Sequence, residues 1–246
     1  KKIERMTDHI VMCGAGTTGG HVMREMLATK TPFVIIEIDP KKIRIGYIKS
    51  AFEQEREEQQ EWKDFDMRTL KTLEDMGFEL VPIEVPEVPA GALSFILNVE
   101  AATAFDELTR IDADDLLVRQ IANAWPNAFR TARMVPAVEY MQANRARTML
   151  MQGMAEAIAD VDCYVSPSWV GPNLLITNLT GHPAVVLPNG FRSDGTPTSI
   201  TFNGHLFGEE TLLAVANAYQ QATDFHLRHP DLAAERDEYR KKQAEA

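Results

Sequence analysis

Residues 177–191 read TNLTGHPAVVLPNGF. Thr180-Gly181-His182-Pro183 is a turn signal, and the apolar run at 184–187 is bounded downstream by Pro188 and Gly190. A short β-branched run between turn residues reads as a strand. The stretch is therefore expected to be strand and turn throughout. Asp194 and Gly195 supply the next turn, and residues 199–202 a further strand. Just upstream, DCYVS at 162–166 is another short apolar strand, with Ser166 and Ser168 flanking Pro167 as turn residues. Downstream, Gly208 precedes a helix expected over 209–227, with Leu212, Leu213, Val215, Ala216 and Tyr219 on its apolar side.

Further upstream the order is strand, helix, strand. Residues 44–48, RIGYI, and 78–85 are the strands. Residues 54–76 form an amphipathic helix through Trp62, Phe65, Leu70 and Leu73, ended by Gly77. Such a unit is expected to be a parallel pair with a right-handed crossover. The middle of the chain is expected to be helical over 92–110 and 112–125, with Pro126 as a break. A long helix follows over 135–159, with Pro136 in its first turn. Its methionines suit core filling.

The N-terminal part has a different pattern. Residues 10–13 are an apolar run, followed by Gly14-Ala15-Gly16-Thr17-Thr18-Gly19-Gly20, which matches G-x-G-x-x-G. A helical pattern follows, then an apolar run at 33–36 that ends at Glu37 and Asp39. This is the order of a dinucleotide site. Gly14 allows the tight turn, Gly16 lets the backbone approach a pyrophosphate, and Gly19 lets the helix pack close. Glu37, with Asp39 as second choice, would accept hydrogen bonds from ribose hydroxyls. The alternative is a glycine turn used only for packing. Residues 44–48 are expected to extend this sheet as its third strand.

Residues 44–230 resemble the amidase-signature family. DVDCYVSPS is similar to its aspartate-rich strand ending in Pro-Ser or Pro-Thr, TNLTGHPAVVLPNGF to its Asn-Leu-Thr-Gly-x-Pro-Ala motif, and FGEETLLAVANAYQQATDFHLRHP to its closing helix. RIGYIKSAF and GFELVPIEVP resemble the unit just after the catalytic half. The resemblance implies a mixed α/β sheet and amide hydrolysis by a Lys–cis-Ser–Ser triad. The chain contains no tandem serine in a glycine-rich loop, so no catalytic residue carries over. Asn178, Thr180 and Gly181 match a motif near the family's substrate cleft and would shape a pocket. For this part the resemblance implies no cofactor.

Residues 8–40 resemble the start of the nucleotide-sensing regulatory domain of bacterial potassium channels and Trk-type transporters, down to the His21-Val22 pair. That resemblance implies NAD(H) or ATP/ADP at the glycine turn.

The expected fold is thus α/β: a mixed sheet with helices on both faces, in which a Rossmann-like βαβ start (residues 1–43) joins an incomplete amidase-like region (44–232) and a charged tail (233–246). Three readings follow: an amidase-related scaffold inactive alone, a nucleotide-binding module, or a chimeric or truncated fragment without a selected function. A net charge of −11 argues against nucleic-acid binding. No apolar run is long enough to span a membrane and no signal peptide is visible, so the cytoplasm is expected. Uncovered sheet or helix surface would favour homo-oligomers. His226 and His229, at i and i+3, lack a third ligand, so no metal site is expected. Cys13 and Cys163 lie in apolar stretches and read as buried side chains.

Overall fold

A computed structural model describes residues 10–13, 17–36, 42–56, 60–87 and 89–229. Gly14, Gly16, Glu37, Asp39 and the charged tail lie outside the described residues. The chain divides into two units. One comprises Lys1–Glu84, Ile158–Val170 and His182–Ala246; the other comprises Val85–Ala157 and Gly171–Gly181.

The first unit opens with strand β1 (Ile10–Cys13), helix α1 (Thr17–Thr29) and strand β2 (Phe33–Ile36). β1 and β2 pair in parallel, Ile10 opposite Phe33 and Cys13 opposite Ile36. They form a sheet of two strands. The expected third strand, β3 (Arg44–Ile48), does not join them. Both of its edges are occupied, by β4 (Glu79–Ile83) on one side and β5 (Cys163–Pro167) on the other.

These three strands belong to a five-stranded sheet of order β4-β3-β5-β7-β6, where β6 is Ala184–Phe191 and β7 is Pro197–Gly204. β4, β3 and β5 are parallel, whereas β7 runs antiparallel to both β5 and β6. The sheet is mixed, as expected. β5 is buried at every position, which fits a central strand with both faces covered. The starts of β3 and β5 are clamped together. Arg44 N–H donates to Asp162 Oδ2 (2.8 Å), Asp162 N–H donates to the Arg44 carbonyl (2.8 Å), and the Arg44 guanidinium reaches the Asp160 carbonyl.

A short helix, α2 (Lys49–Glu53), leads from β3 to the crossover helix α3 (Gln60–Asp75). α3 buries Phe65, Thr69, Leu70 and Leu73, the face expected from its spacing. It stops at Gly77, where φ is +93°. Phe78 N–H bonds the Leu73 carbonyl and Gly77 N–H the Glu74 carbonyl, a Schellman pair. Leu73 and Phe78 then enter one core with Ile45, Val165, Ile200 and Phe202 from the sheet. Leu212, Val215 and Tyr219 of helix α9 (Glu209–Ala222) complete it. α9 ends five residues short of expectation. His226 lies in a 3-10 turn, Phe225–Leu227, and His229 beyond it, so the two are not an i, i+3 helical pair.

The second unit is helical: α4 (Phe95–Ala104), α5 (Asp106–Arg110), α6 (Trp125–Ala132), α7 (Ala137–Ala157) and α8 (Asn173–Thr180). Three expectations change here. Of residues 112–125, expected as a helix, 113–116 form a 3-10 turn, entered through Asp112 at φ +56°, and Trp125 opens α6. The buried Asp114 pairs with Arg130, and the Gln120 amide donates to the Asp114 and Leu117 carbonyls. Those side-chain bonds take the carbonyls a helix would have used. Pro126 lies in the first turn of α6 instead of breaking a helix, because a first-turn proline has no N–H bond to lose. Residues 177–180, expected as strand and turn, instead end the helix α8, which Gly181 caps at φ +83°.

Candidate functional site

The sequence-derived pocket residues sit at the end of α8. Asn178 Nδ2–H donates to the Leu174 carbonyl (2.8 Å), and Thr180 Oγ1–H to the Ile176 carbonyl (2.8 Å). Both side chains thus turn back on their own helix. Gly181 supplies the left-handed residue that stops it, its N–H bonding the Thr177 carbonyl at 2.8 Å. Arg147 of α7 holds the Leu179 carbonyl (2.7 Å) and Glu100 (3.1 Å). These bonds define the backbone of the motif. Of the nucleotide candidates, Gly19 lies in the first turn of α1. That helix begins with Thr17-Thr18-Gly19-Gly20, which carries no acidic side chain to repel a phosphate.

A denser polar site lies in the first unit, where sequence reading placed none. Asp66 sits on the buried face of α3, one position after Phe65. Its Oδ2 accepts from Arg56 Nη1 (2.7 Å) and its Oδ1 from Asn189 Nδ2 (3.0 Å). The Asn189 carboxamide oxygen accepts from Thr198 Oγ1 (2.7 Å), and its nitrogen approaches Thr69 Oγ1 (3.4 Å). Thr69 in turn meets the Tyr219 hydroxyl at 3.3 Å. The Arg56 and Asp66 side chains are each 6% exposed. Burial pushes the Asp66 carboxyl above the ordinary carboxylate value, while Arg56 and Asn189 pull it back. Burial likewise raises the Tyr219 hydroxyl, partly offset by Thr69.

Beside this pair is a cavity of about 70 Å³, bordered by Arg56, Asp66, Trp62, Ser168, Thr198 and Ser199. A hydroxyl chain lines part of it. Ser199 Oγ–H donates to Ser168 Oγ (3.0 Å), which lies 3.0 Å from Thr201 Oγ1. Arg56 uses only Nη1 on Asp66; its Nε and Nη2 are buried without a hydrogen-bond partner among the described residues. An unsatisfied buried donor costs about 1–3 kcal/mol, more when charged. The signal that could have found the site is Asp66 itself, an acid within the apolar stripe of Phe65, Leu70 and Leu73. Its partner Asn189 lies 123 positions away, beyond any local pattern.

No group of three or more His, Cys, Asp or Glu residues that could hold a metal occurs among the described residues. Burial, helped by Asp162, raises the Cys163 thiol to about 12, so it stays protonated and inert.

No family model matches the chain. The solved structure of a bacterial aryl acylamidase, an enzyme of the amidase-signature family, matches it with a TM-score of 0.61 at 14% identity, over 79% of this chain and 48% of that one. The fold is that of the amidase-signature enzymes. Among curated proteins, a glutamyl-tRNA(Gln) amidotransferase subunit from Thermosynechococcus vestitus is 25% identical over 272 residues, covering 92% of this chain and 55% of that protein. An amidase of Pseudomonas putida is 27% identical over 189 residues, covering 65% of this chain and 39% of that protein. The chain thus spans about half the length of these relatives. In the amidase-signature frame, the Arg56–Asp66 pair lies on the α2–α3 connection and α3, between the parallel strands β3 and β4 in sequence. No helix among the described residues is long and apolar enough to cross a membrane.

Proposed function

We propose that this chain is an amidase-type C–N hydrolase scaffold that does not turn over amides by itself. The five-stranded mixed sheet, in a fold that matches the solved structure of an amidase-signature enzyme, carries this reading. Amide hydrolysis in that family needs a serine nucleophile, a base to activate it and donors for the oxyanion. The sequence has no tandem serine in a glycine-rich loop to supply the first two. Ser166 and Ser168 stand on and just after β5, where they serve hydrogen bonds to Asn203 and Thr201. The chain therefore contributes the sheet, the α8 helix end at Asn178, Thr180 and Gly181, and the closing helix α9. The test is release of ammonia or aniline from short aliphatic amides, anilides and glutamine by the purified chain. The expected rate equals the buffer rate. Turnover that disappears on Ser168→Ala would overturn the reading.

A second reading concerns the N-terminal segment. β1 and β2 are parallel, with α1 starting at Thr17, the residue that follows Gly14-Ala15-Gly16 in the sequence. This arrangement supports a nucleotide-binding βαβ unit, with Gly14, Gly16, Gly19 and Glu37 as its binding residues and NAD(H) or ATP/ADP as ligand.

A further inference from the structure

We propose that the helical unit carries a binding chamber for a small neutral aromatic molecule. A cavity of about 210 Å³ is walled by Ala101, Phe105, Leu108, Leu117, Trp125 and Phe129. All six belong to the second unit, on α4, α5 and α6 or beside them. The Phe129 ring stacks with both Phe105 (centroids 5.6 Å apart, planes at 26°) and Trp125 (5.6 Å, 29°). Phe129 is buried, whereas Phe105 and Trp125 are 51% and 48% exposed, so a ligand reaches these two rings from solvent. Polar contacts fix the frame independently of the rings. Asp106, next to Phe105, pairs with Arg133 at the end of α6. Asp114 pairs with Arg130 of α6 (2.6 Å), and Gln120 holds the Leu117 carbonyl (2.7 Å). The walls are therefore anchored at their backbones and keep their spacing without a guest. None of the six side chains carries a charge, a hydroxyl or an amide, so an ionised guest would leave water with no partner. An apolar cavity of about 150 Å³ is enough for benzene, so this one suits a single ring with a small substituent. Offset or edge-to-face contact with the wall rings favours an aromatic guest over an aliphatic one. This chamber shares no residue with the Arg56–Asp66 site and needs no amide chemistry.

The test titrates fluorobenzene into the whole chain and follows it by fluorine NMR. Binding should saturate at one guest per chain. Fluorobenzoate, which has the same ring and a charge, should bind at least about tenfold more weakly. Ala101→Phe and Leu117→Trp put bulk into the chamber, and either variant that melts cooperatively should lose at least about tenfold in affinity. Phe207→Ala removes a 93% exposed ring from the other unit and should leave the affinity unchanged. Nuclear Overhauser contacts in the wild-type chain should run from the guest to the Trp125 and Phe129 rings, which locates it without any variant. Uptake that does not saturate overturns the proposal. So does equal affinity for fluorobenzoate, an equal loss in Phe207→Ala, wild-type affinity in a folded filled variant, or guest contacts confined to other residues.

Discussion

Gly190 stands at an irregularity of β6, where the register with β7 shifts between Pro188 and Gly190. A Cβ there would fall within the edge of the Phe65 ring. Phe65 is buried, and the Arg68 guanidinium lies over its face at 4.3 Å, so the ring has little room to yield. The glycine lets β6 and α3 approach closely and so brings Asn189 to Asp66. Gly190→Ala is expected to cost about 1–3 kcal/mol by overpacking. In a chain of this size that lowers the unfolding midpoint by roughly 2–12 °C. An unchanged midpoint in differential scanning calorimetry would show that Phe65 has another place to go. The Arg56–Asp66 pair belongs to the same scale. Exposed pairs such as Lys49–Glu53 contribute little, but a buried pair needs all its remaining donors met. Arg56 departs from that rule at two nitrogens, which have no partner among the described residues.

At the level of elements, the strands were legible because each is a short, largely apolar run. β1, β2, β3, β5 and β7 lie where those runs predict them. α3 was legible through Phe65, Leu70 and Leu73, with Gly77 marking its end. α8 was not. Its sequence, NLLITNLT, is rich in Asn, Thr and Ile, all weak helix formers, and reads equally well as extended. The Thr177, Asn178 and Thr180 side-chain bonds to carbonyls one turn back, and the Gly181 cap, go with the helix. The candidate site was the least legible part, because Arg56, Asp66, Asn189, Ser168 and Ser199 are joined only by tertiary contacts. The βαβ element carries its own prediction. If Gly16 and Glu37 hold a nucleotide, saturating NAD, NADH, ATP or ADP should raise the unfolding midpoint by roughly 5–11 °C. Gly16→Val should abolish that rise, since a branched side chain blocks approach to the pyrophosphate. A rise that survives Gly16→Val, or no rise with any of the four, would leave the glycine turn as a packing device.

At the scale of the whole molecule, a chain about half the length of its relatives builds the five-stranded sheet of the amidase-signature fold. The physical case is the core shared by β3, β5, β7, α3 and α9, in which Ile45, Leu73, Val165, Ile200, Phe202 and Val215 are each fully buried. Burial on that scale is what drives folding, and it places the stable centre on strands that have neighbours at both edges. Native-state hydrogen exchange of the purified chain measures this residue by residue. The account predicts that the amides of β3, β5 and β7 exchange slowest, with those of the edge strands β4 and β6 faster. Uniform exchange at the rate of an unfolded chain would contradict it, and would make this sequence a piece that folds only in a larger protein.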